Sequence, residues 1–342
     1  MTMPPPVIGL VGCGAIGALH AEQLQRRGVD LRFHNRSPAA AHEFARRFGG
    51  AAVESFDELL SQSAAVVIAT PPEHHIAACL AALAVGCGVL VEKPLCLNLD
   101  ELQQIEAAAA QSEGFVMVAE NYYYKPSTVM LRETLAWGGI GAVKCLRIGK
   151  QTQQTAEGWK SNHGALFEGG IHYVALVADL IDAALAPQQA VAQIVRPEEV
   201  VAKFPTSDAG PERQAILTLK HGEVEAQLHY AWDTPRLLKG TFQHCRIDGD
   251  EGRVVFECNG MYVDVRGPGR RGLSFPGFRD LMGYGAMIEE FLTCVGQVLA
   301  CAGQTSPAPY SNLIRARRDL EIIWRAYEQL PTAPSLTGDA GA

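Results

Sequence analysis

The stretch VIGLVGCGAIGALH, residues 7–20, decides the fold. An apolar, β-branched run leads into Gly12, Gly14 and Gly17, spaced as GxGxxG, and a helix-forming run follows. In this setting the first glycine permits a tight turn, the second lets the main chain approach a pyrophosphate, and the third allows close helix–strand packing. We predict a strand–turn–helix unit that binds a dinucleotide through these glycines and the intervening Ala15 and Ile16. The alternative is a glycine-rich turn without a ligand.

The rest of the first third of the chain repeats this alternation. Apolar runs bounded by Gly, Pro or Asn alternate with Ala- and Leu-rich segments that have the spacing of amphipathic helices. The runs are VIGLV, VDLRFH, AAVVIAT, GVLVE and FVMVAE, which begin at residues 7, 29, 64, 88 and 115. Continuously apolar strands between helices predict an α/β fold, a doubly wound parallel Rossmann sheet covered on both faces. Such sheets bind ligands at the carboxyl ends of their strands.

The pattern changes after about residue 140, where segments alternate polar and apolar residues and are joined by His-Gly, Asp-Gly and Asn-Gly. These are hairpin signals, and they predict an α+β domain with a mostly antiparallel, open-faced sheet. We therefore expect a Rossmann domain over residues 1–123 and a substrate-binding and oligomerisation domain over 124–330. The last helix, 311–330, is expected to pack back on the body, and the tail, 331–342, to be disordered.

Composition excludes several classes of partner. The chain has 342 residues, of which 48% are hydrophobic and 19% charged, with a net charge of −8. Nucleic acid or an anionic membrane would require a basic face, so neither is expected as a partner. The longest uncharged run, Ile76 to Val91, is too short to span a bilayer, and the first ten residues lack the pattern of a secretory signal. Nine cysteines without a CxxC pair are typical of a reduced compartment, so we expect the cytoplasm.

The segment HNRSP, residues 34–38, bears on the choice of nicotinamide cofactor. An acidic residue at the end of the second strand would bind the ribose of NAD, whereas an Arg accommodates the 2′-phosphate of NADP. This chain has Asn35, Arg36 and Ser37 there, and no acid. Guanidinium and hydroxyl groups donate to phosphate, so we predict a preference for NADP, with NAD as the alternative cofactor. Alternatively, Arg36 is a solvated loop charge or stacks on the adenine.

Two further motifs follow predicted strands. In ATPPEHH, Pro71 ends the fourth strand after Thr70, and the adjacent His74 and His75 point in different directions, which makes them poor metal ligands. No metal is predicted.

In EKP, residues 92–94, a carboxylate and an ammonium follow an apolar strand. Such charges are rarely buried unless they form an ion pair or have a function. We predict a cis peptide bond before the proline of this motif.

Together the motifs resemble those of a known family. GxGxxG, ATPPEHH, EKP, AENYYYKP and GALFEGGIH occur in the order found in the glucose–fructose oxidoreductase, inositol dehydrogenase and rhizopine-catabolism family (Gfo/Idh/MocA). The resemblance covers nearly the whole chain. It implies an NAD(P)-dependent oxidoreductase that acts on a hydroxyl or carbonyl of a sugar, inositol or other cyclic polyol-like small molecule. It also implies a homo-oligomer, dimer or tetramer, formed through the open sheet.

The resemblance also implies catalytic residues. The family commonly uses the lysine of EKP with an Asp and a His four residues apart; here these positions are Lys93, Glu168 and His172. Residues i and i+4 share one face of a helix, so Glu168 and His172 can still act together although Glu replaces the usual Asp. The glycines at 169 and 170 are expected to loosen the turn. Hydride transfer is assisted by an acid or base at the substrate oxygen.

We therefore assign His172 as the acid/base and Lys93 as the group that polarises the substrate oxygen. Glu168 is assigned as an orienting group or an acceptor from a substrate hydroxyl. The structural alternatives are a packing histidine at 172 and an ion pair of Lys93 with Glu92.

The remaining predicted contacts are less specific. Further cofactor contacts are expected from Thr70, Pro71, His75, Glu92 and Lys93. Substrate contacts are expected from Asn121, Tyr122, Tyr124, Trp159, Lys160 and His163. If residues 121–124 are extended, Tyr122 and Tyr124 share one face and offer a stacking surface and hydroxyls to a substrate ring. Packing at the domain junction explains these tyrosines equally well.

Two other functions fit the same motifs. One is a glycosidase that oxidises, eliminates and reduces with a retained NAD; tightly held cofactor without net redox turnover would favour it. The other is a non-catalytic NAD(P) sensor, which would have no need of Lys93 and His172.

Overall fold

The computed structural model describes seven stretches of the chain, residues 5–154, 163–185, 194–205, 211–235, 243–268, 271–300 and 307–330. These form two compact units. The first contains the described residues up to Met130 and those of Pro276–Arg318; the second contains those between Leu131 and Phe275, Ile194 excepted, and those from Asp319. The expected tail, 331–342, lies outside the described residues, and the boundary expected between residues 123 and 124 stays a prediction.

The first unit is built on a parallel sheet. Its strands are β1 (Val7–Val11), β2 (Asp30–His34), β3 (Ala51–Ala52), β4 (Ala65–Ile68), β5 (Gly88–Val91) and β6 (Val116–Val118). They are ordered β3-β2-β1-β4-β5-β6, and every neighbouring pair is parallel. This confirms the predicted Rossmann sheet, whose strand order reverses between β1 and β4, where such folds bind their ligands.

Helices account for the continuous burial of these strands. The described α-helices are α1 (Ala15–Gln25), α2 (Pro38–Phe48), α3 (Phe56–Ser61), α4 (His75–Ala84), α5 (Leu99–Gln111), α6 (Pro126–Ala136), α7 (Ile171–Leu185), α8 (Tyr284–Ala300) and α9 (Leu313–Tyr327). In the first unit, α4 packs on β4 and β5, and α8 packs on α1 and β5. All four residues of β4 and all four of β5 are buried, because a parallel sheet is covered on both faces.

The second unit contains a larger, mostly antiparallel sheet. Its strands are β7 (Val143–Gln151), β8 (Glu199–Lys203), β9 (Gln214–His221), β10 (Val224–Ala231), β11 (His244–Gly249), β12 (Arg253–Glu257), β13 (Val263–Arg266) and β14 (Arg271–Ser274). The order is β14-β13-β12-β11-β7-β10-β9-β8, and only β7 and β10 pair in parallel among these strands. The predicted antiparallel character is confirmed.

The two faces of this sheet differ in burial. Leu146, Leu228 and Ile247 are fully buried, and α7 packs against β7 and β10. The intervening Arg147 and Arg246 are exposed, as the alternation of a half-covered sheet requires. The open face was therefore predicted correctly. Across the described residues, no helix is both long and apolar enough to cross a membrane.

Candidate active site

The glycine loop follows β1 and opens α1. Gly12 has a φ of +101°, and a Cβ there would press on the main chain of Ala69. A Cβ on Gly17 would overlap the carbonyl oxygen of Gly12, so this glycine lets α1 approach the loop. Gly14 differs, because a Cβ there would meet nothing within 4 Å. Two of the glycines thus serve packing, and the third leaves open space at the start of α1.

This open space fits an anionic group. Gly14 is the N-cap residue of α1, which has no side-chain cap and no acidic residue in its first turn. The main-chain N–H groups and the helix dipole there favour a phosphate. The side-chain oxygen of Thr70, just beyond β4, is buried and has no hydrogen-bond partner in the described part of the chain. Since an unsatisfied buried hydroxyl costs about 1–3 kcal/mol, a ligand that bonds it would be stabilised, and these residues fit the pyrophosphate of a dinucleotide.

The end of β2 holds the loop and carries two exposed polar side chains. The main-chain N–H of Cys13 donates to Asn35 Oδ1 at 3.1 Å, and Asn35 Nδ2 donates to the carbonyl oxygen of Ser37 at 3.3 Å. Arg36 and Ser37 are exposed. Ser37 is the N-cap residue of α2, but its hydroxyl makes no capping hydrogen bond. Asn35 therefore fixes the glycine loop, and contact of these three residues with a cofactor stays a prediction.

The EKP motif is anchored by a buried carboxylate. The Glu92 N–H donates to the carbonyl oxygen of Ile68 at 2.9 Å, which places Glu92 directly after β5. Glu92 Oε1 lies 2.7 Å from His20 Nε2, and Oε2 accepts from the Lys93 N–H at 3.2 Å. Because a carboxylate only accepts, the proton of this bond lies on His20 Nε2. The Lys93–Pro94 bond is cis, which confirms the prediction.

His20 was missed by sequence reasoning. It is 0% exposed on the inner side of α1, and its ring packs nearly perpendicular to that of Tyr284, with the centroids 5.7 Å apart. The available signal was a polar side chain three residues after Gly17, on the face of α1 that also buries Leu24. Its partner Glu92 is 72 residues away, beyond the reach of any local pattern.

His75 links two motifs of the first unit. Its Nδ1 lies 2.9 Å from the carbonyl oxygen of Pro94, and its Nε2 lies 2.8 Å from that of Thr70. The side chain is fully buried, and burial lowers the pKa of His75, so the neutral imidazole with a single N–H is favoured. His75 thus has a structural role, and its contact with a cofactor stays a prediction. In the described residues, no group of three or more His, Cys, Asp or Glu side chains is arranged to hold a metal ion.

The expected extended conformation of residues 121–124 is wrong. Asn121–Tyr124 form a 3-10 turn, in which residues two apart point in different directions, so Tyr122 and Tyr124 do not share a face. Asn121 Nδ2 donates to the carbonyl oxygen of Met282 at 2.7 Å, and the Tyr124 hydroxyl accepts from the Ser311 N–H at 3.1 Å. These tertiary bonds, formed with distant residues, override the local pattern. Substrate contact by Asn121, Tyr122 and Tyr124 stays a prediction.

In the second unit, Glu168 and His172 lie on a continuous helical run. Glu168 is buried in a π-helical turn, Leu166–Gly170, and His172 is half-buried in the first turn of α7. Tyr230 lies against the turn, and its hydroxyl accepts from Trp232 Nε1 at 2.8 Å. Burial, together with the charge of Glu168, raises the pKa of this hydroxyl. A Cβ on Gly169 would overlap that hydroxyl. The glycines expected to loosen the turn therefore allow it to pack closely.

Glu212 was also missed, and no local feature marks it. It is buried just before β9, and its Oε1 accepts from the Leu166 N–H at 2.7 Å and from the Tyr327 hydroxyl at 3.0 Å. Burial raises the pKa of Glu212 to about 7.

Of the substrate residues predicted in this region, His163 is described, and its ring centroid lies 5.5 Å from that of Phe167. The other two predicted substrate residues of this region, Trp159 and Lys160, lie outside the described residues.

Comparison with known proteins supports the class that the fold indicates. Residues 7–120 match the model of an oxidoreductase family with an NAD-binding Rossmann fold, GFO_IDH_MocA. Glucose-6-phosphate 3-dehydrogenase of Bacillus subtilis is 25% identical over 65% of this chain and 64% of its own length. Inositol 2-dehydrogenase of Acidothermus cellulolyticus is 31% identical over 54% of this chain and 56% of its own. The aligned segments thus span less than two thirds of these curated relatives.

A solved structure extends the likeness of fold to nearly the whole chain. UDP-N-acetylglucosamine 3-dehydrogenase from Acidithiobacillus ferrooxidans superimposes with a TM-score of 0.76 at 19% identity, over 95% of this chain and 98% of that one. The sheet order and the glycine loop define a Rossmann dinucleotide-binding protein with an additional α+β unit. The family-model match over residues 7–120 and the similarity to these dehydrogenases confirm the resemblance to the Gfo/Idh/MocA oxidoreductases that the motifs indicated.

The open space at Gly14 leads to a prediction. Gly14→Ala should fold normally and weaken NADPH binding at least tenfold, about 1.4 kcal/mol, because its methyl group would occupy the space assigned to the pyrophosphate. A fluorescence titration of NADPH measures this. Gly296→Ala is the matched control, since a Cβ there also meets nothing within 4 Å. Unchanged affinity in Gly14→Ala would contradict the assignment.

The burial of Glu212 leads to a second prediction. Its pKa is raised from 4.5 to about 7, so its contribution to the free energy of unfolding is fully present below pH 4.5 and is lost as pH rises through about 7. The total change is about 3 kcal/mol. Glu212→Gln should remove this part of the fall in the free energy of unfolding between pH 5 and 8, as measured by urea unfolding at several pH values. The exposed Glu43→Gln should keep the original decline, and identical profiles for both variants would refute the account.

Proposed function

We propose that the protein is an NADP-preferring oxidoreductase that transfers a hydride to or from a hydroxyl or carbonyl carbon of a sugar, inositol or other cyclic polyol-like molecule. The observation that carries the proposal lies in the first unit. The glycine loop follows β1 and the Glu92–Lys93 turn follows β5, and both strands belong to one parallel sheet. An anion-binding helix start and an ammonium group therefore lie at the same edge of that sheet.

The substrate class is supported by the relatives. Those described above are named as dehydrogenases of glucose 6-phosphate, inositol and a nucleotide-linked amino sugar. Each of these substrates is a ring that carries several hydroxyl groups. A secondary alcohol on such a ring, or the corresponding ketone, is the group that we propose this protein oxidises or reduces.

A bound nicotinamide would supply or accept the hydride. In the oxidation direction, His172 takes the proton of the substrate hydroxyl, and in reduction it returns that proton to the oxygen. Lys93 stabilises the negative charge that develops on the same oxygen. Glu168 orients the substrate or His172 by accepting a hydrogen bond. These roles are proposed from the family resemblance together with the local positions of the residues.

The NADP preference rests on the end of β2. Arg36 and Ser37 are exposed, the Ser37 hydroxyl makes no capping hydrogen bond, and no acidic side chain occupies HNRSP. An acid there would accept from a ribose hydroxyl and repel a phosphate, whereas Arg36 attracts one.

The proposal extends to location and assembly. The eight cysteines of the described residues are free, which suits a reduced compartment such as the cytoplasm. The open face of the second sheet, with the exposed Leu273 on its edge strand β14, is the surface that we propose joins copies into a dimer or tetramer.

Turnover provides the direct test of the proposed function. Purified protein with NADP or NADPH and a panel of sugars, inositols and their ketones should change the nicotinamide absorbance with at least one substrate. Lys93→Ala should lower kcat at least a hundredfold and leave the Kd for NADPH within about threefold, because Lys93 acts on the substrate oxygen. No turnover across the panel would contradict the proposal. A tightly retained cofactor without net redox change would indicate the glycosidase, and cofactor binding without any reaction would indicate the sensor.

Cofactor choice has its own test. Arg36→Ala should raise the Kd for NADPH at least tenfold, about 1.4 kcal/mol, and change the Kd for NADH little, because only NADPH carries the 2′-phosphate. Arg46→Ala, at the other end of α2 and also exposed, is the control and should change neither value. Equal losses for both cofactors in Arg36→Ala would show that Arg36 stacks on the adenine instead.

A further inference from the structure

The helical run that carries Glu168 and His172 begins with N–H groups that the helix itself cannot satisfy. The run begins at Ala165, and the Glu168 N–H makes the first bond within it, to the carbonyl oxygen of Gly164 at 3.1 Å. The three preceding N–H groups, those of residues 165–167, need partners from elsewhere. A buried helix start without such partners would be strongly unfavourable.

Two distant residues satisfy all three groups. The Ala165 N–H donates to the carbonyl oxygen of Glu212 at 2.8 Å, and the Leu166 N–H donates to Glu212 Oε1 at 2.7 Å. The Phe167 N–H donates to the Tyr327 hydroxyl oxygen at 3.1 Å. Glu212 precedes β9 and Tyr327 is the last residue of α9; both residues belong to the second unit, so two other segments of that unit hold the start of the run.

The two capping residues also fix each other. The Tyr327 hydroxyl accepts from Phe167 and donates to Glu212 Oε1 at 3.0 Å. Burial and the neighbouring Glu212 raise the pKa of Tyr327, so the hydroxyl keeps the proton that this bond requires. A Cβ on Gly164 would overlap the Glu212 carboxylate, so a larger residue before the run would displace that carboxylate. The cap therefore has one arrangement of donors and acceptors.

The next turn is held from its other side. Gly169 and Gly170 pack against Tyr230, where a Cβ on either glycine would crowd the tyrosine. Glu168 and Gly169 belong to the π-helical turn, an arrangement that is rare and is found frequently at functional sites. The turn is thus fixed by Glu212 and Tyr327 before Glu168 and by Tyr230 beside it.

We propose that Glu212 and Tyr327 are positioning residues for the oxidoreductase reaction, and that their cap fixes the orientation in which the π-helical turn and α7 present Glu168 and His172. The inference rests on the proposed function, because the residues that the cap positions, Glu168 and His172, act on the substrate only if that function is correct. A displacement of about 1 Å in a catalytic group can lower a rate about a hundredfold. The cap therefore affects kcat much more than cofactor binding.

Substitutions separate this role from general packing. Tyr327→Phe keeps the ring and removes the acceptor of the Phe167 N–H; Glu212→Ala removes the acceptor of the Leu166 N–H. Each should lower kcat at least tenfold and leave the KM for NADPH within about threefold. Glu212→Gln keeps an acceptor oxygen and should retain most of the activity. Phe204→Leu, which alters a ring 6.0 Å from that of Tyr327, is the packing control and should leave kcat near the original value.

Hydrogen–deuterium exchange tests the cap whether or not a substrate has been found. Peptides that cover residues 164–172 should exchange faster in Tyr327→Phe and Glu212→Ala, and at the original rate in Glu212→Gln and Phe204→Leu. Unchanged exchange in the first two variants, or original kcat in both, would overturn the inference. Absence of turnover in the unmodified protein would overturn the proposed function instead.

Discussion

The first N–H groups of a helix have no partner within the helix, and the glycine loop of the first unit and the run that leads into α7 in the second unit each depend on how the chain meets this constraint. At α1, Gly14 supplies no side chain and leaves open space, so the N–H groups remain available to an anion. At the run that leads into α7, Glu212 and Tyr327 occupy the corresponding N–H groups. An open helix start suits ligand binding, and a closed one suits the precise placement of side chains.

Buried carboxylates support both arrangements. Glu92 bonds His20 of α1 and the main chain of Lys93, and Glu212 accepts from the Leu166 N–H at the start of the run that carries Glu168. A buried carboxylate is stable only where several donors reach it, so each one fixes the elements that supply those donors. In this way the position of a proposed catalytic group becomes a property of the surrounding fold.

The sequence predicted the features that depend on neighbouring residues. Apolar runs separated by helical segments predicted the parallel sheet, and GxGxxG predicted the loop at Gly14, because both follow from local periodicity and backbone sterics. It did not predict the bonds that join distant segments: Glu92 and His20 are 72 residues apart, and Glu212 and Tyr327 are 115 apart. The wrong expectation for residues 121–124 has the same origin, since Met282 and Ser311 fix the conformation of that turn.

A crystal structure of the complex with NADPH tests the central claim most directly. The account predicts pyrophosphate oxygens within hydrogen-bond distance of the main-chain N–H groups at the start of α1, a new partner for the Thr70 hydroxyl, and the 2′-phosphate beside Arg36. A dinucleotide bound away from the glycine loop would contradict it. So would a bound dinucleotide whose pyrophosphate left the N–H groups at Gly14 unoccupied.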